Sequence, residues 1–173
     1  MNWCGRRFAV CDLRRASHIS PMPVPDLRPV EASDLLPLSA LVARSKAHWG
    51  YDLAFLRAHR AALTLTVETL AAGPCVAAVA EGRFVGAAWL VEEEGALFVD
   101  GLFVDPPAIG TGAGRVLFDW CAAEGRRLGF DRLVIEADPN AAGFYERMGA
   151  ERVGEVASEP PVGRVLPVYH FAL

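Results

Sequence analysis

The reading of the fold turns on Leu97–Phe118, LFVDGLFVDPPAIGTGAGRVLF. Leu97, Phe98, Val99, Leu102, Phe103 and Val104 make an apolar strand pattern that Asp100 and Gly101 interrupt. Pro106 and Pro107 end it, since neither carries an amide N–H for a sheet ladder. The turn Gly110-Thr111-Gly112-Ala113-Gly114 follows, and a helical pattern begins at Arg115. In a strand, glycine loop and helix of this kind, glycines permit positive φ and close backbone approach. The new helix opens with unpaired N–H groups and partial positive charge, so the favoured occupant is an anion, above all a phosphate.

Two familiar phosphate loops do not fit. A P-loop needs Lys and then Ser or Thr after its last glycine, but Arg115 and Val116 follow Gly114. A dinucleotide GxGxxG counted from Gly110 needs glycine at 115, which Arg115 occupies. A glycine-rich turn without a ligand stays open, although the loop is longer than a tight connection requires.

Length and composition bound the rest. A chain of 173 residues with 53% hydrophobic content supports one domain with a substantial core. The net charge of −4 argues against a nucleic-acid surface, and no apolar run approaches the roughly 18 residues of a membrane span. Cys4, Cys11, Cys75 and Cys121 form no CxxC pair and have no histidine at zinc spacing, so they read as reduced thiols of a cytoplasmic protein without a metal. Residues 1–21, rich in arginine and holding one acid, Asp12, read as an extension outside the fold, either a transit-like segment or an upstream start. The domain is then 22–173.

Along that domain, Leu27 to Val30 reads as a first strand, and Ser33-Asp34 as the cap of a helix ending near Ala47. His48, Trp49 and Tyr51 cluster at a glycine-broken junction before a second helix from Asp52 to about Ala62. They suit an acceptor wall, aromatic with one titratable group, or simply plug a helix end. Cys75–Ala80 and Phe84–Val91 read as antiparallel strands, and Glu92-Glu93-Glu94-Gly95 as a solvated turn. The helix after the glycine loop carries Val116, Leu117, Trp120, Cys121 and Leu128 on one stripe and ends at Gly129. Next come the strand Leu133–Ala137, Asp138-Pro139-Asn140, and the short helix AAGFYERMG over 141–149. Glu151–Val156 and Val165–Phe171 read as a closing hairpin around EPPVG.

Two stretches carry a family resemblance. Val104, Pro106, Gly112 and Gly114 resemble motif A of the GNAT acyltransferase superfamily, with Ile109 where arginine or glutamine is usual. Ala141, Phe144, Tyr145, Glu146, Arg147 and Gly149 resemble its motif B, with Ala150 in place of the final aromatic. The two lie in the right order, and the resemblance covers roughly Asp26 to Leu173. It implies an α/β (α+β) fold: a mixed, mostly antiparallel twisted sheet of six to seven strands, about four helices, and splayed central parallel strands.

It also implies chemistry. Acetyl-coenzyme A would lie in the splay, its pantetheine arm on the main chain of Leu102, Phe103 and Val104 and its pyrophosphate in the loop of Ile109, Gly110, Thr111, Gly112, Ala113, Gly114 and Arg115. Asn140 would touch the pantetheine arm or else cap the short helix, Phe144 would border the arm, and an N–H near Phe103 would meet the oxyanion. Tyr145 matches the tyrosine that assists the leaving thiolate. A base reached through water would be Asp100 or His48, with Glu136 a further carboxylate. The implied reaction is N-acetyl transfer from acetyl-coenzyme A to a small-molecule or peptide amine by direct attack in a ternary complex. The resemblance adds no metal, nucleic acid or membrane, and a symmetric homodimer is a common assembly. A non-catalytic coenzyme A-binding module is the alternative.

Overall fold

The computed structural model describes residues 23–158 and 164–173; the extension expected over 1–21 and the EPPVG loop lie outside the described residues. Seven strands form one sheet: β1 (Asp26–Pro29), β2 (Cys75–Ala80), β3 (Arg83–Glu93), β4 (Ala96–Val104), β5 (Arg132–Glu136), β6 (Glu151–Ala157) and β7 (Val165–Ala172). Their order is β1-β2-β3-β4-β5-β7-β6, with every pair antiparallel except β4 and β5. The parallel pair follows from connectivity: the chain leaves β4 through the glycine loop and returns along a long helix, the crossover that parallel neighbours need.

Among the described residues five α-helices accompany the sheet: α1 (Leu35–His48), α2 (Leu53–Ala58), α3 (Val67–Ala72), α4 (Ala113–Leu128) and α5 (Ala142–Arg147). On one face α4 seals a core with Leu117, Phe118 and Cys121 against Leu97, Leu133 and Ile135. On the other, Leu38, Leu41 and Val42 of α1 pack with Ala77, Ala87 and Trp89. The buried stripe of α4 is Ala113, Leu117, Phe118, Cys121, Ala122 and Gly125, whereas Leu128 is exposed. The expected stripe was thus rotated, because small residues let the helix approach the sheet closely. Gly129, at φ 87°, ends α4 as expected.

Two local readings are corrected. Asp34 does not cap α1 with its side chain; it receives the Glu31 N–H and two Arg28 bonds at 2.7 and 2.8 Å. The second helix stops at Ala58 rather than near Ala62, and Val67–Ala72 forms a separate helix closed by a Thr66–Thr69 capping box. No helix among the described residues is long and apolar enough to cross a membrane.

A bulge in β4 sets the site's geometry. Trp89 pairs with Gly101 and Leu90 with Val99, which leaves Asp100 as the extra residue. Simple alternation puts Asp100 on the face of Leu102 and Val104, but the bulge separates them. Leu97, Val99, Leu102 and Val104 all contribute to the core on the α4 face, while Asp100 accepts the indole N–H of Trp89, a residue of the α1-side core, at 2.7 Å. Gly101 permits this, since a Cβ there would lie 2.1 Å from the Trp89 ring. Beyond the bulge the parallel strands part: β4 and β5 register only at Leu97–Leu133 and Phe98–Val134, although β4 runs on to Val104.

Candidate active site

The parted strands open into a slot of about 470 Å³. Leu102 and Val104 of β4 form one wall; Asn140, Phe144 and Tyr145, after β5, form the other. Ile109, Gly110, Gly112, Gly114 and Arg115 close one end, and Ser45 of α1 and Trp49, which follows that helix, also line it. Gly110 and Gly112 have φ of 82° and 99°, and a Cβ on either would meet nothing within 4 Å, so the glycines answer to backbone conformation rather than space. As N-cap of α4, Gly112 has no side chain to occupy the first-turn amides. Among the described residues the charged lining side chains are Arg115 and Arg147, with no carboxylate beside them. Open amides and cations without acids match a polyanion with a slender apolar arm, so the residues present fit acetyl-coenzyme A.

The side chains of Phe103, Thr111 and Ala113 do not line the slot. The Phe103 side chain stacks on Trp89 at 5.5 Å on the α1 face, which leaves only its main chain on the strand. Thr111 donates its hydroxyl to the Ala108 carbonyl at 2.7 Å, and Ala113 is buried in the core. Asn140 does not cap α5: Asp138 caps the preceding 3-10 turn and accepts from the Asn140 backbone N–H at 3.0 Å and from Nδ2 at 3.1 Å.

Tyr145 is 6% exposed and lines the slot. Burial, then the neighbouring Cys121 and Asp138, holds its pKa well above the ordinary value, so the phenol stays protonated. Cys121, raised by burial to about 12, remains a thiol in the core. Asp100 is exposed, as is His48, which packs edge-on against Trp49 with ring centroids 5.2 Å apart; neither lines the slot. Among the described residues no three His, Cys, Asp or Glu side chains converge as metal ligands do.

Tyr51 joins a charged cluster that sequence spacing did not reveal. Asp138 Oδ2 lies 2.5 Å from Lys46 Nζ, 2.8 Å from the Tyr51 hydroxyl and 3.7 Å from Arg164 Nη1. Arg164 also donates to Tyr51, and Tyr51, Phe55 and His59 stack in series. Burial pushes the Asp138 pKa up, but Lys46, the Asn140 amide and Tyr51 together bring it below its ordinary value. Burial and then Asp138 raise that of Tyr51. Arg147 was within a motif already quoted and its charge was the available signal; Arg164, 113 residues from Tyr51, offered none.

This architecture is that of N-acetyltransferases. A GCN5-related N-acetyltransferase from Rhodopseudomonas palustris is 21% identical, with a TM-score of 0.75 over 88% of this chain and 98% of its own. A ribosomal-protein-alanine N-acetyltransferase from Brucella melitensis is 25% identical, with a TM-score of 0.62 over 86% and 99%. PaiA N-acetyltransferase from Thermoplasma acidophilum, solved with coenzyme A, is 13% identical, with a TM-score of 0.64 over 86% and 98%. The chain belongs to the acetyltransferase (GNAT) family, whose model matches residues 42–150. No curated protein matches it significantly.

Proposed function

We propose that the protein is a cytoplasmic N-acetyltransferase that moves the acetyl group of acetyl-coenzyme A to an amine of a small molecule or peptide by direct attack in a ternary complex. The observation that carries the reading is the slot, opened by the parting of β4 and β5 after Phe98 and Val134 and lined, among the described residues, by cations without acids. Strand main chain at Leu102–Val104 would hold the pantetheine arm, and the Gly110–Gly114 amides with Arg115 and Arg147 the phosphates. Acetyl-coenzyme A would supply the activated thioester, and coenzyme A would leave as the thiol.

The chain's own residues then position, polarise and move protons. A β4 N–H near Phe103 would stabilise charge on the carbonyl oxygen. Tyr145, kept neutral by burial, suits a hydrogen bond to the departing thiolate better than complete proton transfer, because its acidity falls below that of a thiol. Asp100, whose Oδ2 accepts from Trp89, and His48 both lie outside the slot, so either would take the amine proton only through bridging water. Direct attack requires no cysteine nucleophile, which agrees with the burial of Cys121.

The test is a thermal-shift comparison of acetyl-coenzyme A, coenzyme A, ATP and NAD, followed by acceptor-dependent thiol release across an amine panel. At 100 times the dissociation constant the right ligand adds about 2.7 kcal/mol, or roughly 5–10 °C for this length. A shift with ATP or NAD alone would overturn the reading, and a coenzyme shift with no thiol release from any amine would favour the binding module.

A further inference from the structure

The C-terminal end of α1 lies across the gap between the parted strands. Arg44 holds Asp105, the residue after β4, at 2.9 Å, and Lys46 holds Asp138, two residues past β5, at 2.5 Å. Residues two apart leave a helix on nearly opposite sides, since each step turns it by about 100°. The two ion pairs therefore fix this part of α1 to both strands at once, with Ser45 between them. Ser45 is 6% exposed and lines the slot, a polar side chain on a helix whose other buried residues are Leu38, Leu41 and Val42. Trp49, one turn further on, lines the slot as well and is 43% exposed.

The position of the pair along the slot says what they can meet. The grip of Arg44 on Asp105 sets the end of α1 level with Val104, the last residue of the strand segment read as holding the pantetheine arm. The other serine of α1 is committed to the protein: Ser39 donates to the Leu35 carbonyl at 2.7 Å and accepts the Leu65 N–H at 2.9 Å. Ser45 borders the cavity instead. Its hydroxyl can donate and accept, which suits an amide, and it carries no charge to draw a phosphate. The main chain of β4 can bond one edge of the arm, and Ser45 reaches it from the α1 side. A partly exposed indole beside that hydroxyl offers a flat apolar face to the methyl and methylene groups between the amides.

We propose that Ser45 and Trp49 form a coenzyme subsite, in which the Ser45 hydroxyl bonds an amide of the pantetheine arm and the Trp49 ring covers the arm from the α1 side. The proposal rests on the acetyltransferase reading for the identity of the arm.

The test is calorimetric titration of coenzyme A and of adenosine 3′-phosphate 5′-diphosphate, which keeps every phosphate and lacks the arm, into the full chain. Coenzyme A should bind wild type more tightly than the fragment. Ser45→Ala should narrow that advantage by about five- to tenfold, the worth of one hydrogen bond, and Trp49→Ala by about threefold or more. Neither variant should move the affinity of the fragment by more than about twofold, and circular dichroism checks that both fold. The proposal is overturned if wild type shows no advantage, if the advantage survives within about twofold in either variant, or if Ser45→Ala weakens the fragment as much as coenzyme A. A Ser45→Ala variant that binds both ligands as wild type does, yet needs more amine for thiol release, would put the serine on the acceptor and overturn it equally. Should coenzyme A not bind wild type, the acetyltransferase reading falls and the proposal with it; coenzyme A binding with an unchanged advantage removes the proposal alone.

Discussion

Tyr145 is a phenol turned toward the slot with its pKa raised, so removing its hydroxyl should change chemistry far more than packing. Tyr145→Phe is expected to lower kcat by about 10- to 100-fold, near the low end for a positioned proton donor, and to leave coenzyme A affinity within about twofold; thiol-release kinetics beside calorimetry would check the split. A different kind of residue effect belongs to Gly101. A methyl there would start 2.1 Å from the Trp89 ring, so Gly101→Ala should cost about 1–3 kcal/mol in urea unfolding by overpacking and displace the indole from Asp100. Alternation leaves Asp100 either a pocket acid on the face of Leu102 and Val104 or a residue near an irregularity at Gly101, and the bulge puts it at the irregularity, off that face. Alternation is a rule for regular strands, and one extra residue inverts every side chain after it.

At the level of elements, Asp138 ties α1, the turn after it and the start of β7's strand segment to the end of β5, through Lys46, Tyr51 and Arg164. Its depressed pKa means that this stabilisation is complete above the unfolded carboxylate value of about 3.9 and is lost as pH falls through the lower folded value. Wild type should therefore lose stability more steeply below about pH 4 than Asp138→Asn. At neutral pH that variant should be weaker by about 1–3 kcal/mol, between an exposed and a buried ion pair, by urea unfolding at each pH. The strands and α4 were legible because periodicity and glycine stops are local signals. This cluster was not, because its members come from four separate segments and no spacing relates them. α3 escaped for another reason: a six-residue helix carries too few turns to show a period, and only its Thr66–Thr69 cap marked it.

For the whole molecule, the decisive feature is that one sheet is incomplete in its middle. Antiparallel strands flank β4 and β5 on either side, whereas the central pair holds register only at Leu97–Leu133 and Phe98–Val134. The sheet thus joins two halves through a short parallel contact and the α4 core, and the alternate β4 amides beyond Phe98 that face β5 lack a strand partner. A pantetheine arm in the opening would act as the missing strand and connect the halves. Exchange at those amides depends on local opening rather than global unfolding, so a ligand that bonds them slows it selectively. Adding coenzyme A should slow hydrogen exchange by about tenfold or more over 101–104 and 110–115, a change of about 1.4 kcal/mol in local opening, while peptides from β1 and β2 change little. Mass-resolved exchange would read this without turnover. Uniform slowing over all seven strands would show instead that the coenzyme merely raises global stability and that the parted strands are not where it binds.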